Sequence, residues 1–215
     1  ADLYAPIRPG TDIAFLGGMI NYLLENDLIF KEYIVNYTDA PFLVHADFKM
    51  PDELDGVFSG YNEKTSKYDR KTWDFQLDEK GVPKRDVTLN DPKCVFQLLK
   101  KHYSRYTIDK VSQITGTPKD KCEEVYKLIS STHKPDRTAT ACYAMGWTQH
   151  SVGAQNIRAF TIVQLLLGNV GMAGGGVNAM RGEGNVQGST DHGILFHLLT
   201  GYLPSPTAAL DDLKD

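Results

Sequence analysis

Residues 138–193 read TATACYAMGWTQHSVGAQNIRAFTIVQLLLGNVGMAGGGVNAMRGEGNVQGSTDHG. Nine of the nineteen glycines in the chain fall between Gly168 and Gly193, and a single arginine, Arg181, stands among them. Glycine at that density removes side chains, so backbone N–H groups can come close to a ligand. Just upstream, Thr138–Met145 reads as a short buried strand ended by Gly146, and Gly153–Leu167 as a strong helix ended by Gly168. Strand, loop, helix and glycine loop in that order give the rhythm of a parallel α/β sheet, whose ligands gather at the carboxyl ends of its strands. The expected fold class is α/β. The segment is expected to wrap a large phosphate-bearing cofactor and to present Arg181 to an anionic substrate.

Toward the N-terminus, Pro9-Gly10-Thr11-Asp12 is a turn feeding a helix. Thr11 can cap it, Asp12 sits in its first turn, and Ile13, Leu16, Ile20, Leu23 and Leu24 recur at helical spacing. Further helices are expected over Phe30–Tyr37, Pro92–Tyr103 and Lys119–Ser131, with Pro118 suited to a first helical turn. Between Pro41 and Leu89 the texture becomes aromatic, charged and turn-rich. Asp78-Glu79-Lys80-Gly81 lies between KYDRKTWDFQL and VPKRDVTL there, which predicts a hairpin or a surface excursion inserted into the core domain.

Composition excludes several classes. With 41% hydrophobic residues, 23% charged residues and a net charge of −4, the chain is an ordinary globular sequence with no basic patch for a nucleic acid. The apolar run Ile162–Leu167 is too short to span a bilayer. Cys94, Cys122 and Cys142 are scattered, form no CxxC and have no histidine at zinc spacing, so they read as buried small hydrophobes rather than as a metal or cluster site. There is no GxGxxG, no GxxxxGK[ST] and no GxSxG.

Each candidate site keeps two readings on residue chemistry alone. Gly10-Thr11-Asp12 lies where phosphates and bases dock, and a carboxylate can accept two hydrogen bonds from the N1–H and N2–H₂ edge of guanine; it is equally a common helix start. Met145, Gly146 and Gln149 stand at the carboxyl end of the expected strand, where Gln149 can donate to and accept from a heterocycle. The alternative is a loop whose polar groups satisfy one another, and His150 reads as a hydrogen-bonded structural residue. The rigid fork of Arg181 matches a carboxylate bidentately, although Glu183 or Asp191 could equally pair with it.

The string YAMGWTQHSVGAQNIRAFTIVQLLLGNVGMAGGGVNAMRGEGNVQGSTDHG, the opening ADLYAPIRPGTDIAFLGGMINYLLEN and the stretch KYDRKTWDFQLDEKGVPKRDVTL together resemble the catalytic (alpha) subunit of molybdenum- or tungsten-dependent formate dehydrogenases, in the molybdopterin oxidoreductase family. The resemblance implies a Rossmann-like αβα domain over residues 1–184, with an insertion at about 41–90, and the start of a return into a neighbouring α/β domain over 185–215. It implies a bis(molybdopterin guanine dinucleotide) cofactor bearing Mo or W. Gly10, Thr11 and Asp12 would meet a guanine nucleotide, and Met145, Gly146 and Gln149 the pterin dinucleotide. Arg181 would orient formate as it is oxidised to CO2.

The family's selenocysteine or cysteine metal ligand, and the cysteines of its [4Fe–4S] cluster, lie upstream of the PGTD turn and have no counterpart here. The chain is therefore expected to be an internal piece of a larger subunit, inactive alone and supplying no metal ligand. Implied partners are formate and CO2, the remainder of the catalytic subunit and an iron–sulfur electron-transfer subunit. Neither nucleic acid nor direct membrane insertion is implied, and the resemblance places the protein in the periplasm. Two alternatives stay open: a sister oxidoreductase of the nitrate reductase kind, and a non-catalytic binding module that kept the fold.

Overall fold

The computed structural model describes residues 1–180. Arg181, and the expected return over 185–215, lie outside the described residues. The first helix, α1 (Asp12–Glu25), is the hub. Its sequence DIAFLGGMINYLLE is apolar nearly all round, the pattern of a helix with partners on several sides. It packs against α3 (Val95–Tyr103), α4 (Ile108–Thr115), α5 (Lys119–Ser130) and α7 (Gly153–Leu166). Gly17 and Gly18 set the closeness of that packing. A Cβ on Gly17 would stand 2.8 Å from the Tyr106 ring, and one on Gly18 2.6 Å from the Tyr126 hydroxyl, which itself donates to Phe15 O at 2.7 Å. Leu23, Ile20, Val111, Cys122, Val163 and Leu167 close the core between these helices.

Two element boundaries depart from expectation for local reasons. Thr11 stands at the N-cap of α1, but its hydroxyl donates to Arg8 O at 2.6 Å and caps nothing. Pro118 precedes α5 with ψ 143, outside the first turn. Helix α4 was not expected; Thr107 caps it by accepting from Lys110 N, and Gly116 ends it at φ 75. The N-terminal stretch is strapped to this helix end. Arg8 N donates to Thr115 O and its guanidinium to Gln113 O and Ile114 O, a cation on the carbonyl end of a helix. Thr117 Oγ1 adds a bond to Pro6 O.

The second helix, α2 (Lys31–Tyr37), leads into residues 41–90. Isolated antiparallel bridges join Phe42 to Arg85, Val44 to Phe75 and Leu77 to Pro83. The expected hairpin at Asp78–Gly81 forms: Gly81 takes φ 77, and Asp78 Oδ1 accepts from Lys80 N and Val82 N. A second hairpin pairs β1 (Tyr61–Asn62) with β2 (Lys67–Tyr68). The region is more than decoration, because Leu89 at its end is buried in the core beside Ala40 and Cys94.

The C-terminal third of the described chain is a βαβ unit. Strand β3 (Thr140–Tyr143) pairs in parallel with β4 (Gly176–Ala179), and α7 makes the crossover. Strand β3 is not the fully buried strand expected. Ala141 is buried, but Thr140 and Cys142 on the opposite face are exposed, so Cys142 is not a buried hydrophobe either. Side chains alternate across a strand, and among the described residues only one face of β3 is covered. Helix α7 ends as expected at Gly168 (φ 73), where Asn169 N reaches back to Gln164 O at 2.9 Å.

Candidate functional site

The carboxyl end of β3 turns directly into α6 (Met145–Thr148), a single helical turn. Gly146 therefore lies inside that turn rather than ending the strand. The turn brings two expected site residues together: Gln149 N donates to Met145 O at 2.9 Å, and Gln149 Nε2 lies 3.3 Å from Met145 Sδ. Both side chains are exposed, and a Cβ on Gly146 would meet nothing within 4 Å, so this corner is open. Asn156 Nδ2 holds the turn from α7 by donating to Trp147 O, and His150 Nε2 contacts Gly146 O at 2.8 Å, the structural role expected of it. Tyr143 and Trp147 stack with planes 16° apart, and Phe160 backs the indole.

Strand β4 ends at the same side. Met180 N donates to Tyr143 O at 2.6 Å, so the residue preceding Arg181 is fixed at the carboxyl edge of the β3–β4 pair. In parallel sheets this edge is where ligands bind.

A buried amide ladder keeps the two strands in place. Gln164 on α7 is fully buried, and its Nε2 donates to Ala139 O at 2.8 Å and to Gly176 O at 2.7 Å. Asn169 Nδ2 donates to Gln164 Oε1 and to Thr132 Oγ1. Sequence reasoning passed over Gln164 because it hides within an apolar run; a lone amide in such a run was the available signal.

Gly10, Thr11 and Asp12 form the second expected subsite, at the N-terminus of α1. Gly10 adopts φ 80 with open space where a Cβ would stand. No side chain caps this helix end. Asp12 is only 7% exposed, yet its carboxylate makes no hydrogen bond among the described residues. No hydrogen bond among the described residues joins this corner to Met145–Gln149. Nor do three or more His, Cys, Asp or Glu side chains converge there as a metal-binding group. No described helix is long and apolar enough to cross a membrane.

The fold and the two open corners define an α/β chain with a parallel βαβ unit and an open turn at its carboxyl edge. Comparison with known proteins gives the relatives. Formate dehydrogenase subunit alpha of Megalodesulfovibrio gigas is 59% identical over 214 residues, covering 100% of this chain and 21% of that protein. The nitrate-inducible formate dehydrogenase major subunit of Escherichia coli K12 is 55% identical, and formate dehydrogenase 2 subunit alpha (cytochrome c-553) of Nitratidesulfovibrio vulgaris Hildenborough 52%, each over the same share. By sequence, the chain is homologous over its whole length to the alpha, or major, subunits of formate dehydrogenases. It spans about a fifth of the length of these curated relatives. No protein-family model matches it.

Proposed function

We propose that this chain is the cofactor-gripping, Rossmann-like αβα portion of a formate dehydrogenase catalytic subunit, which oxidises formate reversibly to CO2 and passes electrons on to iron–sulfur clusters. The observation that carries the reading is identity of 59% to a formate dehydrogenase subunit alpha along the entire chain. Residues 41–90 are its insertion, and a periplasmic setting follows from the same likeness.

The described residues fit a guanylated pterin cofactor. The carboxylate of Asp12, which makes no hydrogen bond among the described residues, can accept from the N1–H and N2–H₂ groups of guanine. Gly10 leaves room beside it, and the uncapped N–H groups of α1 suit a phosphate. Met145, Gly146 and Gln149 offer an exposed thioether, an open backbone and an amide to the pterin half. When bound, the molybdenum or tungsten pterin group supplies the two-electron redox chemistry. The chain's own part is orientation. Arg181, following directly on the carboxyl edge of β4, holds the formate carboxylate bidentately so that its C–H bond faces the reacting centre. The same guanidinium stabilises charge on the carboxylate as the bond breaks.

The test uses the full-length subunit. Replacing Arg181 by Ala lowers kcat/KM for formate by about 100-fold or more, while metal and pterin content stay as in the unaltered enzyme. Unchanged turnover would refute the role of Arg181. Replacing Asp12 by Ala lowers the guanine nucleotide recovered per subunit; full retention would remove Asp12 from the nucleotide subsite.

A further inference from the structure

Helix α7 grips the turn that carries Met145, Gly146 and Gln149 at three points. Asn156 is 1% exposed, and its Nδ2 donates to Trp147 O at 3.1 Å. Gly153 N donates to His150 O at 3.0 Å, and a Cβ on Gly153 would stand 2.3 Å from Thr148 O, a backbone atom. Phe160 lies 5.3 Å from the Trp147 ring, which also stacks on Tyr143 at 6.0 Å. Met145 and Gln149 themselves stay exposed. Asn156 makes its bond under a penalty. Its Oδ1 is buried and accepts from no donor among the described residues. A buried acceptor left so opposes folding by about as much as one hydrogen bond supports it. The amide therefore adds little net stability. What it adds is geometry, because it fixes the Trp147 carbonyl and with it the direction in which the turn presents its residues.

Resting on the cofactor reading above, we propose that Asn156 is a positioning residue for the pterin half of the cofactor: through Trp147 O it sets the turn that brings Met145, Gly146 and Gln149 against the pterin. Being buried, Asn156 touches neither cofactor nor substrate. Formate binding depends instead on Arg181, which follows Met180, and Met180 N is held by Tyr143 O rather than by α7. Loss of the Asn156 bond therefore misplaces the cofactor and spares formate affinity. A misplacement of about 1 Å is enough to slow turnover greatly.

The test follows hydrogen–deuterium exchange at residues 145–149 in the full-length subunit, prepared with and without its cofactor. In the unaltered enzyme the bound cofactor slows exchange there about tenfold or more. In Asn156→Leu, whose side chain keeps the branched shape, that slowing falls to about threefold or less. Its kcat for formate drops about tenfold while KM stays within about twofold. Its thermal midpoint stays within about 3 °C of the unaltered value, because the lost bond and the relieved acceptor offset each other. Gly153→Ala, which pushes on Thr148 O instead, reproduces the loss of slowing. A merely structural Asn156 lowers the midpoint further or leaves the chain unfolded, and either result overturns the proposal. So does full cofactor-dependent slowing in either variant, a KM that rises in step with any fall in kcat, or an unaltered turn whose exchange the cofactor leaves alone. An unaltered subunit that takes up no pterin and does not turn over formate sinks instead the formate dehydrogenase reading on which the role of Asn156 rests.

Discussion

Replacing Gln164 by Met keeps the side-chain volume and removes the amide at the centre of the ladder beneath β3 and β4. Three hydrogen bonds go at once: those to Ala139 O and Gly176 O, and the one received from Asn169. Ala139 O and Gly176 O each lose a donor at the N-terminal ends of the strands, from a side chain that is itself fully buried. At about 1 kcal/mol for each bond lost, the βαβ unit is weakened by about 3 kcal/mol. That corresponds to roughly a 150-fold rise in the local opening equilibrium. Hydrogen–deuterium exchange followed by mass spectrometry reads it directly: amides of Thr140–Tyr143 and Gly176–Ala179 lose about two orders of magnitude of protection. Those of Ile108–Thr115, on the far side of α1, keep theirs. A loss below about fivefold, or an equal loss in α4, would show that the ladder does not hold the strands together.

Three other outcomes follow from local geometry. The carboxyl of Asp86 lies well below the usual carboxylate range, because the Thr88 hydroxyl and then the N–H groups of Asp91, Thr88 and Asn90 donate to it. Its contribution is complete above the unfolded carboxylate value of about 4 and fades as pH falls from there toward the folded value. The thermal midpoints of the unaltered chain and of Asp86→Asn therefore differ most near neutral pH and converge in acid; a constant gap from pH 6 downward would refute this. Replacing Gly175 by Ala places a Cβ 2.1 Å from Asn169 O, a backbone atom that cannot swing aside. It should cost about 3 kcal/mol in urea unfolding, and a loss under about 1 kcal/mol would contradict the packing. A charged thiol reagent modifies Cys142 first in the native chain, since burial pushes the thiols of Cys94 and Cys122 up and shields them. Peptide mapping that found Cys94 labelled earlier would contradict the burial.

Helices were legible wherever apolar spacing and end signals agreed, as in α1, α3, α5 and α7. Helix α4 carries the same signals, Thr107 before it and Gly116 after it, but only one thinly populated apolar stripe, and it was passed over. Strand β4 could not be read locally. Gly176-Val177-Asn178-Ala179 has little strand propensity, and its conformation comes from pairing with a strand 36 residues earlier, Thr140 opposite Gly176. The Thr11 hydroxyl shows the same limit: its type suits a cap, but the nearer carbonyl of Arg8 takes it. For the site, sequence marked the open corners at Gly10–Asp12 and Met145–Gln149. It missed the side chains that brace the second corner and its strands, Asn156 and Gln164, because the carbonyls they donate to have no sequence signature.

The central position of α1 has a consequence for synthesis. It leaves the ribosome before its partners, because α3, α4, α5 and α7 follow from residue 95 onward, the last of them starting at Gly153. At roughly 5–20 residues per second, α1 waits on the order of ten seconds before α7 can shield it. Throughout that interval Leu16, Ile20, Leu23 and Leu24 stand without their native neighbours on a nascent chain. Production at lower temperature or with a trigger-type chaperone should therefore raise the recovered fraction of this protein more than any change to its surface.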